Sequence, residues 1–159
     1  MTSGRTLRLA KTAECGALSA LALRSKAYWG YDPIFLQACR SELAVEPADV
    51  AAGRVVVLEE EDTPLGFYAL SPGERRDEAE ISLFFVEPAV IGHGIGRALW
   101  EHAVAKARAE GLKRLKVLSD PFALGFYRAV GATLSGKIRS PVRAPDGGER
   151  CLPVLHYEL

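Results

Sequence analysis

Three glycines spaced two apart, Gly92, Gly94 and Gly96, separate a stretch that reads as a strand from one that reads as a helix. Ile81 to Val86 is apolar, rich in β-branched and aromatic residues and bounded by Pro88, the pattern of a buried strand. Beyond the glycines, Leu99, Trp100, Ala103, Val104 and Ala107 fall on one broad apolar helical face, and Gly111 supplies the stop signal. A strand, a glycine loop and a helix start make an anion site. The first helical turn leaves amide N–H groups unpaired, and residues without a Cβ let a ligand come close to them. A molecule carrying phosphates is the natural occupant. A Walker loop is excluded, because it must end Gly-Lys-Ser/Thr and this one ends Gly96-Arg97-Ala98. A dinucleotide fingerprint needs Gly-x-Gly-x-x-Gly opening a βαβ unit, and the present spacing, deep in the chain, fits it badly.

The elements that hold this loop follow from periodicity and punctuation. Arg5 to Leu9 alternates as a first strand, and Lys11 to about Lys26 reads as a helix with Cys15, Leu18, Leu21 and Ala22 on one face. Asp32 is an N-cap with Pro33 in the first helical position, so a second helix is expected to run to about Leu43. Tyr28, Trp29 and Tyr31 therefore stand at a bend between two helices, either packing that corner or presenting an aromatic wall. Pro47 to Gly53 reads as a connection. Arg54 to Glu60 and Leu65 to Leu70 form a hairpin across Glu61-Asp62-Thr63-Pro64, followed by a charged loop from Ser71 to Glu78. After Gly111 come a strand at Leu112 to Leu118, a helix opened by Asp120-Pro121 and ended by Gly131, and strands at Thr133 to Ile138 and Leu152 to Leu159. This order implies a largely antiparallel sheet with a parallel pair around the ligand.

Composition narrows the field further. A chain of 159 residues, 48% hydrophobic, implies one domain over 1–159 with a proper core. With 20 basic and 20 acidic residues the net charge is zero, so no basic field argues for nucleic acid. The N-terminus lacks an apolar signal core, and no apolar run approaches the ~20 residues of a membrane span, so a soluble, cytoplasmic protein with no membrane partner is expected. Cys15, Cys39 and Cys151 are odd in number and far apart, which disfavours a disulfide framework or a zinc cluster and reads as buried thiols. His102 and His156 read as structural, and no spacing supports a metal site.

Taken together, the loop and its flanks resemble the GNAT superfamily of acetyl-CoA-dependent N-acetyltransferases. Gly94-Ile95-Gly96-Arg97-Ala98-Leu99 follows that family's pyrophosphate-loop pattern, Gln/Arg-x-x-Gly-x-Gly/Ala, although Ile91 stands where Gln or Arg is usual. A second stretch, Asp120 to Ala132, is similar to the family's fourth-helix signature, with Asp120 in place of the usual Asn. The resemblance implies an α/β (α+β) fold, a mixed and mostly antiparallel sheet of about seven strands flanked by about four helices. It implies acetyl-CoA as cosubstrate. Gly92, His93, Gly94, Ile95, Gly96 and Arg97 would take the pyrophosphate, with His93 reaching a phosphate. Phe84, Phe85, Val86, Asp120 and Phe126 would hold the pantetheine arm, although an Asp accepts hydrogen bonds without donating them. The helical corner would overhang the acceptor cleft, making Tyr28, Trp29 and Tyr31 an aromatic substrate wall with Arg24 and Lys26 as charge contacts.

The chemistry implied is direct acetyl transfer to a primary amine. Such amines are mostly protonated at neutral pH, so a base or water chain is needed. Glu80 matches a Glu frequent on the family's fourth strand, and strand alternation puts Glu80, Ser82, Phe84 and Val86 on one face, aimed along the cleft. A solvated strand-entry carboxylate is the other reading of Glu80. Leu115 stands where some relatives carry a second acid. Val86 would donate its amide N–H to the acetyl carbonyl as an oxyanion donor, and Tyr127, in the place of the family's general acid, would protonate the leaving thiolate. A core-facing tyrosine is the alternative for Tyr127. Two rival functions stay open: a non-catalytic acyl-CoA-binding or interaction module on the same fold, and a nicotinamide-type nucleotide binder. The acceptor ranges from a small-molecule amine to a peptide N-terminus or lysine, and a homodimer is an expectation because relatives often dimerise.

Overall fold

The computed structural model describes residues 4–159. Seven strands form one sheet: β1 (Arg5–Leu9), β2 (Val55–Glu60), β3 (Thr63–Pro72), β4 (Glu78–Val86), β5 (Arg114–Leu118), β6 (Thr133–Arg139) and β7 (Cys151–Glu158). Their order is β1-β2-β3-β4-β5-β7-β6. Only β4 and β5 run parallel, over Glu78↔Arg114 to Ile81↔Val117, and every other neighbour is antiparallel. A parallel neighbour needs a crossover. It is supplied by α4 (Ile95–Ala109), between β4 and β5. The remaining helices are α1 (Cys15–Ala27), α2 (Pro33–Cys39), α3 (Pro47–Ala51) and α5 (Leu124–Ala129). Among the described residues no helix is long and apolar enough to cross a membrane.

Alternation in the central strands feeds two cores, one on each face of the sheet. Val56 and Leu58 of β2 and Tyr68 and Leu70 of β3 join one core with Ile95, Leu99, Trp100 and Ala103 of α4. Val55 and Val57, with Phe67 and Ala69, join the other with Leu18, Leu21 and Ala22 of α1 and Phe35 and Cys39 of α2. The apolar face read for α4 is the buried one, with Leu99, Trp100, Ala103, Val104 and Ala107 all inside. Tyr68 is fully buried and meets His102 Nδ1 at 2.7 Å, so His102 is a structural partner, its basicity lowered by burial. In β7, His156 Nδ1 lies 2.5 Å from Ser135 Oγ.

Local differences from the sequence reading have local causes. Asp32 caps α2 as expected, accepting from the Phe35 amide at 2.8 Å, but the helix ends at Cys39 and the chain continues to Leu43 as turns. The connection at Pro47 holds α3, because Pro47 supplies a helical φ at the first turn, raising the count among the described residues to five helices. In the β2–β3 hairpin, Glu61 and Asp62 both take positive φ, 50° and 65°, so two residues make the turn and Thr63 and Pro64 belong to β3. The thiols are not uniformly buried: Cys39 is buried, Cys15 half-buried and Cys151 exposed at the start of β7.

The sheet meets α4 closely at Gly66. A Cβ there would lie 2.9 Å from both Leu99 Cδ1 and the carbonyl oxygen of Phe85, and 3.2 Å from Ile95 Cγ2. Leu99 can shift, but the β4 backbone cannot without loosening the ladder. Gly66→Ala is expected to destabilise the fold by about 1–3 kcal/mol, the usual range for overpacking. Equilibrium urea denaturation checks this through a lower midpoint at unchanged slope.

Candidate functional site

The site exists because β4 and β5 part company. Their pairing stops at Ile81↔Val117, and from Ser82 onward β4 keeps only β3 as a neighbour. The register between β3 and β4 slips at the same place, where Ala69 faces Leu83 while Leu70 faces Ile81, leaving Ser82 as an extra, bulged residue. A cavity of about 700 Å³ opens in the gap, walled by Ile81 to Val86, the glycine loop, the start of α5, the end of α1 and the β6–β7 connection. That volume is within the range of small-molecule sites.

The bulge redirects the side chains of β4. Ala79 and Ile81 face the α4 core; past Ser82 it is Phe84 and Val86 that do, while Leu83 and Phe85 face the α1 core. Glu80 therefore shares a face with Leu83 and Phe85, and the expected alignment of Glu80 with Phe84 and Val86 is corrected. One inserted residue inverts a period of two. Glu80 sits one position outside the cavity wall, beside Lys116 of β5. Burial lifts its carboxyl above the ordinary range, and Lys116 only partly opposes this.

Val86 gains an orientation from the same ladder. Glu87 donates its amide to the Leu65 carbonyl at 2.8 Å. Along an antiparallel ladder alternate residues point their polar groups to opposite sides, so Val86 and Phe84 aim N–H and C=O away from β3, into the gap. Phe84 packs against Phe126 and Tyr127, with ring centroids 5.5 and 5.9 Å away. Phe85 packs on Phe67 across the sheet while also lining the cavity.

In the glycine loop, Gly92 and Gly94 hold φ of 89° and 81°, a region costly for side chains. Gly94 is the N-cap of α4. Among the described residues the amides of Gly92, Gly94, Ile95, Gly96 and Arg97 donate to no protein acceptor. Gly96 is small for a different reason: a Cβ would sit 3.0 Å from Phe126 Cε1, so Phe126 seats on the first turn of α4. His93 departs from expectation. Its amide donates to Val90, its carbonyl accepts from Arg5, and its exposed side chain is not on the cavity wall. Arg97 and Ile91 do line the cavity, and Ile95 contributes backbone while its side chain is buried in the core.

Tyr127 stands in the wall between Phe84, Phe126 and Trp100. Its hydroxyl has no hydrogen-bond partner among the described residues. Burial, with the charge of Asp120 adding to it, holds the phenol well above its ordinary range, so it keeps its proton at neutral pH. Among the described residues no group of three or more His, Cys, Asp or Glu is arranged to hold a metal.

The aromatic corner divides into three fates. Trp29 lines the cavity and stacks on Phe122, 5.6 Å apart and 12° from parallel. Tyr28 packs edge-on against Trp29 but is exposed and off the wall. Tyr31 stacks on Phe35 at 4.3 Å and turns its hydroxyl to Asp120 at 3.0 Å, so it too stands behind the wall. Arg24 is tied to Glu87 at 2.6 Å. Asp120 caps the turn before α5 by accepting from the Phe122 amide, and also accepts from Lys26 at 2.8 Å and Arg150 at 3.0 Å. Sequence reasoning missed Arg150, which sits in a polar loop without a motif and reaches the site only because that loop folds back beside Ser140.

Burial alone would raise the Asp120 carboxyl, but Lys26 first, then the Phe122 amide and Tyr31, hold it below its ordinary value of 3.8. A carboxyl that binds its proton less readily when folded adds stability above the unfolded value and loses it as pH falls through the folded one. Asp120→Asn should leave two buried cations uncompensated and destabilise by roughly 3–5 kcal/mol at pH 7. The variant's stability should then fall less steeply than wild type below pH 3.8. Denaturation midpoints across pH 2 to 7, a range of about five units in which carboxylates titrate, measure both effects.

Comparison with known proteins bears on the family and the fold. A peptidyl-lysine N-acetyltransferase, YjaB of Salmonella typhimurium, is 35% identical over 82 residues, covering 52% of this chain and 51% of the relative. Serotonin N-acetyltransferase 2 of Oryza sativa subsp. japonica is 34% identical over 64 residues, covering 40% and 32%. The chain thus spans about half, or less, of the length of these curated relatives. The PaiA N-acetyltransferase of Thermoplasma acidophilum, solved in complex with coenzyme A, superposes with a TM-score of 0.80 over 100% of both chains at 14% identity, a likeness of fold. Residues 22–132 match the acetyltransferase (GNAT) family, from α1 through the glycine loop to the end of α5, and the chain belongs to that family.

Proposed function

We propose that this chain, acting as one domain, is an N-acetyltransferase that moves an acetyl group from acetyl-CoA to a primary amine by direct attack. The observation that carries the reading is the set of unpaired amides on Gly92 and Gly94 to Arg97, opening into the gap between β4 and β5. The fit to a diphosphate is electrostatic and steric. Five donors and the positive end of α4 converge, and the left-handed glycines leave space, since a Cβ at Gly92 or Gly94 would meet nothing within 4 Å. Arg97 adds a positive charge on the same wall.

Acetyl-CoA supplies an activated acyl group with a thiolate as leaving group. The chain's own residues do the rest. Phe84 and Phe126 give the arm an apolar bed, and Asp120 holds the turn that starts α5 in place. The Val86 amide, turned into the gap, offers a hydrogen bond to an acyl oxygen where negative charge develops. Tyr127 keeps its proton and stands on the wall, which suits a donor to a departing thiolate. Glu80, with a raised carboxyl pKa and one position off the wall, suits a base that draws a proton from the amine through water.

Incubation with acetyl-CoA and a panel of amines tests this, with acetylated product followed by mass spectrometry because exposed Cys151 would react with thiol dyes. Binding of acetyl-CoA with no product from any amine would return the non-catalytic module. Tyr127→Phe is expected to lower kcat by about a hundredfold, the lower range for a general acid, with the dissociation constant for CoA nearly unchanged. Gly94→Val does the reverse: forcing a β-branched residue into φ of 81° should weaken CoA, by calorimetric titration, by roughly tenfold.

A further inference from the structure

One part of the cavity wall carries a charge imbalance that binding of a diphosphate at the glycine loop does not use. Lys26, from the end of α1, and Arg150, just before β7, both line the cavity and are only 8% and 7% exposed. Their common counterion is Asp120, and its carboxylate is already saturated. Oδ2 accepts from Lys26, Arg150 and Tyr31, and Oδ1 accepts from the Phe122 amide and Tyr31. A carboxylate offers about four acceptor positions, so Asp120 has none left for an incoming ammonium group.

The two cations are in the opposite condition. Lys26 has three N–H donors and directs one at Asp120; Arg150 has five and uses two, on Asp120 and Ser140. Phe35 and Tyr31 lie under both, which holds the charges in place without neutralising them. Two positive charges against one negative leave a net positive charge in a recessed site. Glu42 also lines the cavity, but it is exposed and forms no ion pair with either cation. Buried charge of this kind is satisfied best by a second anion whose oxygens accept from the unused N–H groups of Lys26 and Arg150.

We propose that Lys26 and Arg150 form a receptor for an anionic group on the acceptor, and that the amine acylated here is a small molecule that also bears a carboxylate. The proposal rests on the acyltransferase reading above and names its acceptor class. The carboxylate sits against Lys26 and Arg150, and the apolar flank of the molecule lies along Trp29 and Phe122, both on the same wall.

Three matched sets of acceptors test it: amino acids, the same amino acids as C-terminal amides, and the corresponding decarboxylated amines. Rates are corrected for the fraction of free amine at the assay pH. The carboxylate form is expected to exceed its amide in kcat/KM by about tenfold or more, the scale of one charge-assisted hydrogen bond. Arg150→Gln should erase most of that preference by raising KM for the acid about tenfold more than KM for the amide. Equal turnover of acids, amides and simple amines by the wild-type protein overturns the acceptor class and leaves acyl transfer standing. Acylation of none of them or of any other amine overturns both. The wild-type comparison decides the question by itself if Arg150→Gln does not fold.

Discussion

Hydrogen bonding between β4 and β5 lasts only from Glu78↔Arg114 to Ile81↔Val117, and the rest of the site depends on its ending there. Two parallel strands that stayed paired would bury their polar edges in each other and leave no opening. Here Ser82 bulges out of β4, and beyond Val117 β5 keeps only β7, its partner along its whole length, with the Ser119 amide donating to the Pro153 carbonyl. The freed edge of β4 keeps its amides unpaired toward the gap, a costly condition inside a protein unless a ligand or solvent meets them. The glycine loop adds five more unpaired amides at the same opening. Unpaired backbone on two adjoining elements is what suits the cleft to the proposed ligand and sets it apart from a packing defect.

Because the proposed anion site is made of backbone, its side chains are free to serve packing. Ile95 is buried in the α4 core, Gly96 admits Phe126, and Ile91 lines the cavity where a polar side chain is usual in the family pattern. An aliphatic residue there removes no amide donor. The contact between Gly96 and Phe126 also joins the two family signatures physically. The first turn of α4 and the face of α5 are one packed unit, so the glycine-loop end and the Tyr127 end of the cleft are held together. Phe84, touching both Phe126 and Tyr127, ties that unit to β4.

The fold was largely legible because its signals are local. The alternation of Leu115 and Val117, the apolar face of α4, the Asp32 and Asp120 caps and the stop at Gly111 each depend on a few neighbouring residues, and the structure reproduces them. The glycine loop was legible for the same reason. What escaped was whatever depends on partners distant in the chain. A bulge at Ser82 has no signature of its own, since it appears only when β3 is laid beside β4, yet it decides which way Glu80 faces. Tyr31 looked like part of an aromatic wall, and its hydroxyl instead finds Asp120, 89 positions away. Arg150 carries no motif at all.

The cluster around Asp120 has to be weighed against simpler ways of filling the same space. Removing two cations and a carboxylate from water is expensive, and an apolar trio of similar size often gives equal or greater stability. A gain in stability is therefore a poor reason for Lys26, Asp120 and Arg150 to meet. Geometry is a better one. The three residues belong to the end of α1, the turn before α5 and the loop entering β7, segments with no backbone hydrogen bonds to one another. Directional, charge-assisted bonds fix their mutual positions in a way that apolar contact, which tolerates sliding, does not. Those are the segments that present Trp29, Phe122 and the start of β7 to the cavity. The same cluster that sets the shape of the wall also gives it a positive charge, so shape and charge at that end of the cleft cannot be changed independently.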